Sequence, residues 1–464
     1  MREHGSLARG ERRLTQSPIH EGRFGRMFRR LPAAPERSVE ELEELANSMR
    51  EPADAQPAGG WSAGGQTEGD NELIPAAYTY LGQFLDHDVT FDPVSTLERL
   101  NDPDALIDFR SPRFDLDSVY GSGPADEPFQ YEPDGVRLLV ENNSNGEPDL
   151  PRNSRGTALI GDPRNDENTI VSQLQLVFLR LHNRFVQEVE AEGFTGPERF
   201  PEAQRRARWH YQYVILNDFL PKIVGKEIYE RVVTRDEEGL PRIRRRFYRP
   251  KTNPYMPVEF SGAAYRYGHS QVRAAYDLNG SVTGRPIFAP GDAVGPLDDL
   301  RGFRPIPQAW TIEWGRFVKI GDSQPQLSRD IDARLAPGLF DLPGPTGALA
   351  LANLRRGQSL GLPSGQDVAR FLGVEPVLAG PDLGTRFDPT PLWFYILKES
   401  ELQAGGQHLG PVGGRIVAEV FAGLLELDRQ SFVNVDPRFK PAPPVAPAGN
   451  GEFGLGELIA FALS

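Results

Sequence analysis

The chain contains no cysteine. That removes disulfides, a thiolate nucleophile, iron–sulfur clusters and cysteine-ligated zinc, so any metal must be held by histidine, carboxylate or carbonyl groups. Long apolar runs are also missing. None of the 464 residues belongs to a stretch able to span a bilayer, and "MREHGSLARGERRLTQ" lacks the apolar segment of a secretory signal. The default expectation is therefore cytoplasmic. Positive charge is in deficit: 51 Lys and Arg against 65 Asp and Glu give a net charge of -14, which disfavours a nucleic-acid partner because phosphate neutralisation needs a basic face. Histidine is scarce, with seven in the chain.

What is present suits a large globular core. Residues 1–71 read as an N-terminal arm: basic "GRFGRMFRRLP", one short helix in "SVEELEELANSM", then the Pro/Gly-rich linker "EPADAQPAGGWSAGGQTEGDN". In that helix Ser38 and Glu41 have capping-box spacing, and Val39, Leu42, Leu45 and Met49 form an apolar stripe. The core is expected to start near residue 72. Residues 72–464 read as one large, mainly α domain with long loops and little β structure. "TIVSQLQLVFLRLHNRFVQEVE" places Leu174, Val177, Leu181, Phe185 and Val189 three to four apart. "PEAQRRARWHYQYVILNDFL" is a second helix, stopped by Pro221, and "GRIVAEVFAGLLEL" a third. Pro-rich connections of this length imply functional or cofactor contacts that hold them.

Four segments concentrate chemistry. In "YTYLGQFLDHDVTF", a helix over 76–87 brings Gln83, Asp86 and His87 onto one face and turns Asp88 away. "ALIGDPRNDENTI" places Arg164 and Glu167 at the start of the long helix, where a guanidinium beside a histidine suits charge on a bound oxygen. "SGAAYRYGHSQVRAAYDLN" surrounds His269 with Tyr265, Arg266 and Tyr267. In "RSPRFDLDSVYG", Ser111, Arg113, Asp115 and Asp117 alternate, so hydroxyl, carbonyl and carboxylate oxygens converge as a hard cation requires, although no EF-hand is present. His4, His20 and His408 fall in arm or loop sequence and His182 and His210 in helices without a comparable polar cluster; these read as structural or exposed.

In this order the segments resemble the haem peroxidase superfamily of animal peroxidases and cyclooxygenases, closest to its bacterial peroxidase branch. "GQFLDHD", "SPRFDLDSVYG", "GDPRNDEN", "LRLHNR", "YRYGH", "LANLRRGQSLGLP", "PTPLWFYILKESEL" and "GPVGGRIVAEV" carry the resemblance, over roughly residues 20 to 462. It implies haem b, with His87 as distal histidine, Gln83 its neighbour, Arg164 the distal arginine and His269 the proximal iron ligand. It also implies that Asn353 accepts a hydrogen bond from the proximal imidazole, that Arg266 lies near a propionate, and that Asp86 and Glu167 are sites for ester attachment of the haem. The resemblance further implies that Asp88 joins Ser111, Arg113, Asp115 and Asp117 around one Ca²⁺. The implied activity reduces hydrogen peroxide and oxidises a halide, thiocyanate or small organic donor through a ferryl haem.

Two other readings are weighed. The fatty-acid oxygenases of the superfamily carry a radical tyrosine three positions before the proximal histidine, where this chain has Arg266, with tyrosines two and four positions before. A catalytically silent calcium-binding scaffold would not need His87, Arg164, His269 and Asn353 together. A metallohydrolase is weaker still, for no HExxH or close His pair exists. Oligomeric state has no signature in the sequence.

Overall fold

The computed structural model describes residues 22–52, 67–90, 107–108, 110–251, 253–289, 295, 297–342, 347–446 and 452–464. His4 and His20 lie outside them. Helices dominate: α1 Val39–Ser48, α2 Ala77–Val89, α3 Asp117–Tyr120, α4 Thr169–Ala191, α5 Arg199–Val214, α6 Leu220–Val224 and α7 Lys226–Val232. They continue with α8 Val258–Ser261, α9 Leu349–Ser359, α10 Gly365–Leu372, α11 Leu392–Ala404, α12 Pro411–Leu427, α13 Phe432–Val435 and α14 Leu455–Leu463. The largest sheet among the described residues has three short strands, Gly22–Gly25 pairing with Ile107–Asp108 and Met256–Pro257. No helix among those residues is long and apolar enough to cross a membrane.

The longest helix, α4, organises the interior. Asn168 caps it by accepting from the N–H groups of Ile170 and Val171, and its five-residue apolar stripe is buried as the spacing requires. α2, α5 and α14 pack on it; Phe84 of α2 stacks on Phe178 with centroids 4.5 Å apart.

Two expectations need correction. Pro221 does not stop the second helix: a π-helical turn at Ile215–Phe219 leads directly into α6. Proline cannot donate to the carbonyl four residues back, and a widened turn accommodates the ring without ending the rod. Nor does the core begin near residue 72. Phe24, Met27, Phe28, Leu42, Leu45 and Met49 are buried in the same core as the central helices, and α1 packs on α9. The capping box of Ser38 and Glu41 is formed as its spacing suggested.

Buried carboxylates pin the long loops. Glu259 accepts from the N–H groups of Met27 at 2.9 Å and Phe28 at 3.1 Å. Glu419 accepts from the N–H groups of Arg246, Phe247 and Tyr248 at 2.6–3.0 Å and from Arg415 Nε at 2.7 Å. Glu399 accepts from Val412 N at 2.9 Å at the start of α12, and burial pushes its acid up to about 8. Each such hydrogen bond contributes on the order of 0.5–1.5 kcal/mol, and more where the acceptor is charged.

His182 and His210 are structural, as expected. His182 Nε2 donates to Val136 O at 2.8 Å, leaving Nδ1 to accept from Tyr120 OH at 3.1 Å; His210 Nδ1 lies 2.7 Å from Arg206 O. Burial lowers both to about 4. A histidine held below its unfolded value takes up a proton more readily when unfolded, so stability falls as pH drops from about 6.5 toward 4. We expect the urea midpoint to fall between about pH 7 and about pH 4.5, with a shallower slope in His182→Gln; an identical slope in the variant contradicts this assignment.

Candidate active site

The apolar face of α2, with Leu81, Phe84 and Leu85 buried, fixes its opposite face. Gln83, Asp86 and His87 lie on that opposite face, and Thr90 closes the helix by donating through Oγ1 to Asp86 O at 2.8 Å. The 3₁₀ turn Pro163–Asp166 meets it from the α4 side. His87 Nδ1 stands 2.7 Å from Asn165 Oδ1, and its Nε2 is 4.0 Å from Glu167 Oε1. Glu167 accepts from Gln83 Nε2, whose Oε1 accepts from Asn168 Nδ2 at 3.1 Å. Arg164 donates to Asp162 (Nε 3.1 Å, Nη2 2.9 Å), to His87 O at 3.2 Å and to Thr90 O at 2.5 Å. The guanidinium is thereby locked against the C-terminal end of α2.

Electrostatics follow from burial. The His87 imidazole is lowered to about 4, first by desolvation and then by Arg164, so it is neutral at physiological pH. Desolvation raises Glu167 to about 7, against the pull of Arg164 and Gln83. Burial works against the charge on Asp162, yet hydrogen bonding and charge from Arg164, then Arg110, hold it well below the usual carboxylate range.

The second wall comes from the 3₁₀ turn Ala264–His269. The Tyr265 ring stacks on Phe260 at 4.7 Å and its hydroxyl donates to Gly82 O of α2 at 3.1 Å, tying the two walls together. Arg266 Nε donates to Ser261 O at 2.8 Å, and Trp393 Nε1 donates to Arg266 O at 3.1 Å. His269 Nδ1 lies 2.8 Å from Asn353 Nδ2 of α9. For His269 to donate through Nδ1, as the sequence reading expects, the amide must present Oδ1 instead, a half-turn that exchanges atoms of nearly equal size. Desolvation, then Arg266 and Arg356, lowers His269 to about 3.

The two walls share one space. Arg266 feels the charges of both Asp86 and Arg164, and Glu167, Arg266 and His269 lie deep in the protein while retaining accessible surface. Both imidazoles are engaged at Nδ1, and among the described residues no hydrogen bond occupies Nε2 of either.

Behind α2, Asp88 is fully buried. It accepts from Leu116 N at 3.1 Å, from Ser118 N and Oγ at 3.2 Å each, and from Tyr211 OH at 3.1 Å. Ser111 Oγ donates to Asp115 Oδ2 at 2.8 Å, Arg113 pairs with the same oxygen at 3.1 Å, and Asp115 Oδ1 is buried without a hydrogen-bond partner. Leu116 takes a left-handed φ of 61°, a strained turn between Asp115 and Asp117. Burial, then Asp115 and Asp117, raises Asp88 to about 7. Among the described residues no three His, Asp or Glu side chains already form a metal cage. Gly161 presses on this loop: a Cβ there would stand 2.7 Å from the carbonyls of Asp117 and Ser118.

Sequence reasoning overlooked Asp162, Asn165 and Gln175. Asp162 and Asn165 sat within "GDPRNDEN" without an assigned partner, since nothing local links Asn165 to a histidine 78 residues away. Gln175 left a readable signal, an amide set between Leu174 and Leu176 in α4.

A sequence model of the family described as animal haem peroxidase matches residues 98–390, which include Arg164, His269 and Asn353 and begin after His87. The chain is 27% identical over 289 residues to chorion peroxidase of Drosophila melanogaster, covering 59% of this chain and 34% of that protein. It is 29% identical over 257 residues to human thyroid peroxidase, covering 52% and 25%. The chain thus spans about a third or less of these two relatives. Among solved structures it is similar to peroxidase A from Dictyostelium discoideum, with TM-score 0.67, 17% identity and coverage of 97% and 94%. It also resembles Oryza sativa fatty acid alpha-dioxygenase, with TM-score 0.54, 15% identity and coverage of 87% and 77%. These likenesses show the fold. With more than half of its length matched by the family model, the chain belongs to the animal haem peroxidase family.

Proposed function

We propose that the chain is a haem-dependent peroxidase that reduces hydrogen peroxide and oxidises a halide, thiocyanate or small organic donor. The observation that carries this reading is the pair of buried, neutral imidazoles, each held through Nδ1 with Nε2 left unbonded, on two walls tied together by Tyr265 and flanked by Arg164 and Arg266. His210 shares that bonding pattern but packs among Phe185, Phe439 and Phe453; what sets His87 and His269 apart is the charged company of Arg164, Glu167 and Arg266.

The residues fit the cofactor. His269 would ligate the iron, Asn353 would orient its ring, and Arg266 would meet a propionate. Asp86 and Glu167 would stand at the haem edge as sites for ester bonds. Bound there, a haem would supply the redox chemistry that couples peroxide reduction to oxidation of the donor. His87 Nε2 accepts a proton from one peroxide oxygen and returns it to the other, which leaves as water. Arg164, anchored by Asp162, offers fixed positive charge to the oxygens as they separate. Gln83, held between Glu167 and Asn168, orders the pocket beside His87.

A fatty-acid oxygenase is disfavoured because Arg266 stands where a radical tyrosine would be needed, while the hydroxyl of Tyr265 is committed to Gly82 O. Haem-supplied protein should oxidise iodide or a dye only when peroxide is added. Oxygen uptake with a fatty acid, without peroxide-driven oxidation, would overturn the reading.

A calcium ion at Asp88, Ser111, Arg113, Asp115 and Asp117 belongs to the same proposal. It is supported by two further acids, Asp115 and Asp117, close enough to raise Asp88, and by the partnerless Asp115 oxygen. An ion bound at a hundredfold excess over its Kd would stabilise the fold by roughly 3 kcal/mol. Verified calcium removal should lower both the melting temperature and the peroxide rate, because Asp88 neighbours His87 on α2; unchanged values after removal would exclude the site.

A further inference from the structure

If His87 is to take a proton through Nε2, something must keep its other nitrogen protonated. Asn165 Oδ1 faces His87 Nδ1 at 2.7 Å, Asn165 Nδ2 donates to Gln175 Oε1 at 2.8 Å, and Gln175 Nε2 donates to Ser118 O at 3.5 Å. Asn165, Gln175 and Ser118 are all 0% exposed, so water does not compete. The polarity of this chain is set from its far end. A backbone carbonyl only accepts, so Gln175 must turn Nε2 toward Ser118 and Oε1 toward Asn165. Asn165 then presents Nδ2 to Gln175 and Oδ1 to His87, which is left to donate through Nδ1–H. Reversing either amide sets donor against donor or acceptor against acceptor in a dry interior, at a cost of about 1–3 kcal/mol. Packing alone gives no reason for two amides at fully buried positions.

We propose that Asn165 and Gln175 are positioning residues for His87: an amide relay anchored on the Ser118 carbonyl holds the imidazole in the Nδ1–H tautomer and leaves Nε2 as the proton acceptor. The proposal rests on the peroxidase reading of the site. It also makes the segment gripped by Asp88 a second support for His87, since Ser118 donates twice to Asp88.

The tautomer is read directly from ¹⁵N spectra of the histidine-labelled full-length chain prepared without added haem, with the His87 signal assigned by its loss in His87→Gln. Wild type should show Nδ1–H, and Asn165→Leu and Gln175→Leu should show mixed tautomers. In haem-supplied protein the probe is cyanide, which enters as HCN and gives its proton to His87 Nε2. Its association rate should fall about 10- to 100-fold in both leucine variants. Gln175→Glu keeps an acceptor for Asn165 Nδ2 and should recover most of the rate lost in Gln175→Leu. An Nε2–H tautomer in wild type, or a wild-type cyanide rate in a leucine variant with a normal haem spectrum, overturns the relay. If Asn165→Leu fails to fold, the wild-type spectrum and Gln175→Leu still decide. An Nδ1–H wild type that does not react with peroxide leaves the relay standing and removes the peroxidase reading.

Discussion

Replacing His87 with alanine should slow the reaction with hydrogen peroxide by about 10²- to 10⁴-fold, the usual contribution of a positioned acid–base group, while haem stays bound. The separation of effects follows from placement. His87 sits on α2 and Asn353 on α9, so removing the first leaves the proximal contact at His269 untouched. Arg164 is held by Asp162 and by the His87 and Thr90 backbone oxygens, none of which the substitution removes. Positive charge therefore survives in the pocket, and some activity should survive with it. Stopped-flow mixing with peroxide checks this; a rate within threefold of wild type (about 0.6 kcal/mol of barrier, a small fraction of such a contribution) would remove His87 from proton transfer. Because desolvation lowers His87 to about 4, the wild-type rate should hold from neutral pH down to about pH 4 and fall below it, as the imidazole takes up a proton and can no longer act as a base.

The second large effect is expected at His269. His269→Ala should weaken haem binding by at least about a hundredfold, since losing an outer-sphere partner alone typically costs 10- to 100-fold and this change removes the ligand itself. The test belongs in protein never exposed to peroxide, so that no ester bond through Asp86 or Glu167 forms and retains the haem covalently. Added imidazole should restore part of the binding by filling the space left by the ring. Undiminished haem affinity in His269→Ala would place the iron ligand elsewhere.

The sequence exposed some of this design and hid the rest for physical reasons. Helical periodicity showed which faces of α2 and α4 are apolar, and so which side chains on α2 had to converge: Gln83, Asp86 and His87 on one side, Asp88 on the other. Periodicity says nothing about partners distant along the chain. Glu259 reaches Met27 across 232 residues, and Glu419 reaches Tyr248 across 171. The Glu259 pin and the apolar side chains Phe24, Met27 and Phe28 tie the described part of the N-terminal segment to the core, where the sequence suggested an arm. Pro221 misled because its local rule, ending a helix, was absorbed by the π turn that precedes it. Asn353 was legible only through family resemblance, whereas Asn165 and Gln175 needed the folded chain to show that they meet His87.

Haem titrated into the purified full-length chain, followed by absorption with His269→Ala alongside, tests the haem assignment most directly. The expected result is a saturable Soret band in the wild type that changes at once on adding peroxide and is lost or greatly weakened in the variant. No Soret band in the wild type, or indistinguishable bands in the two proteins, contradicts it.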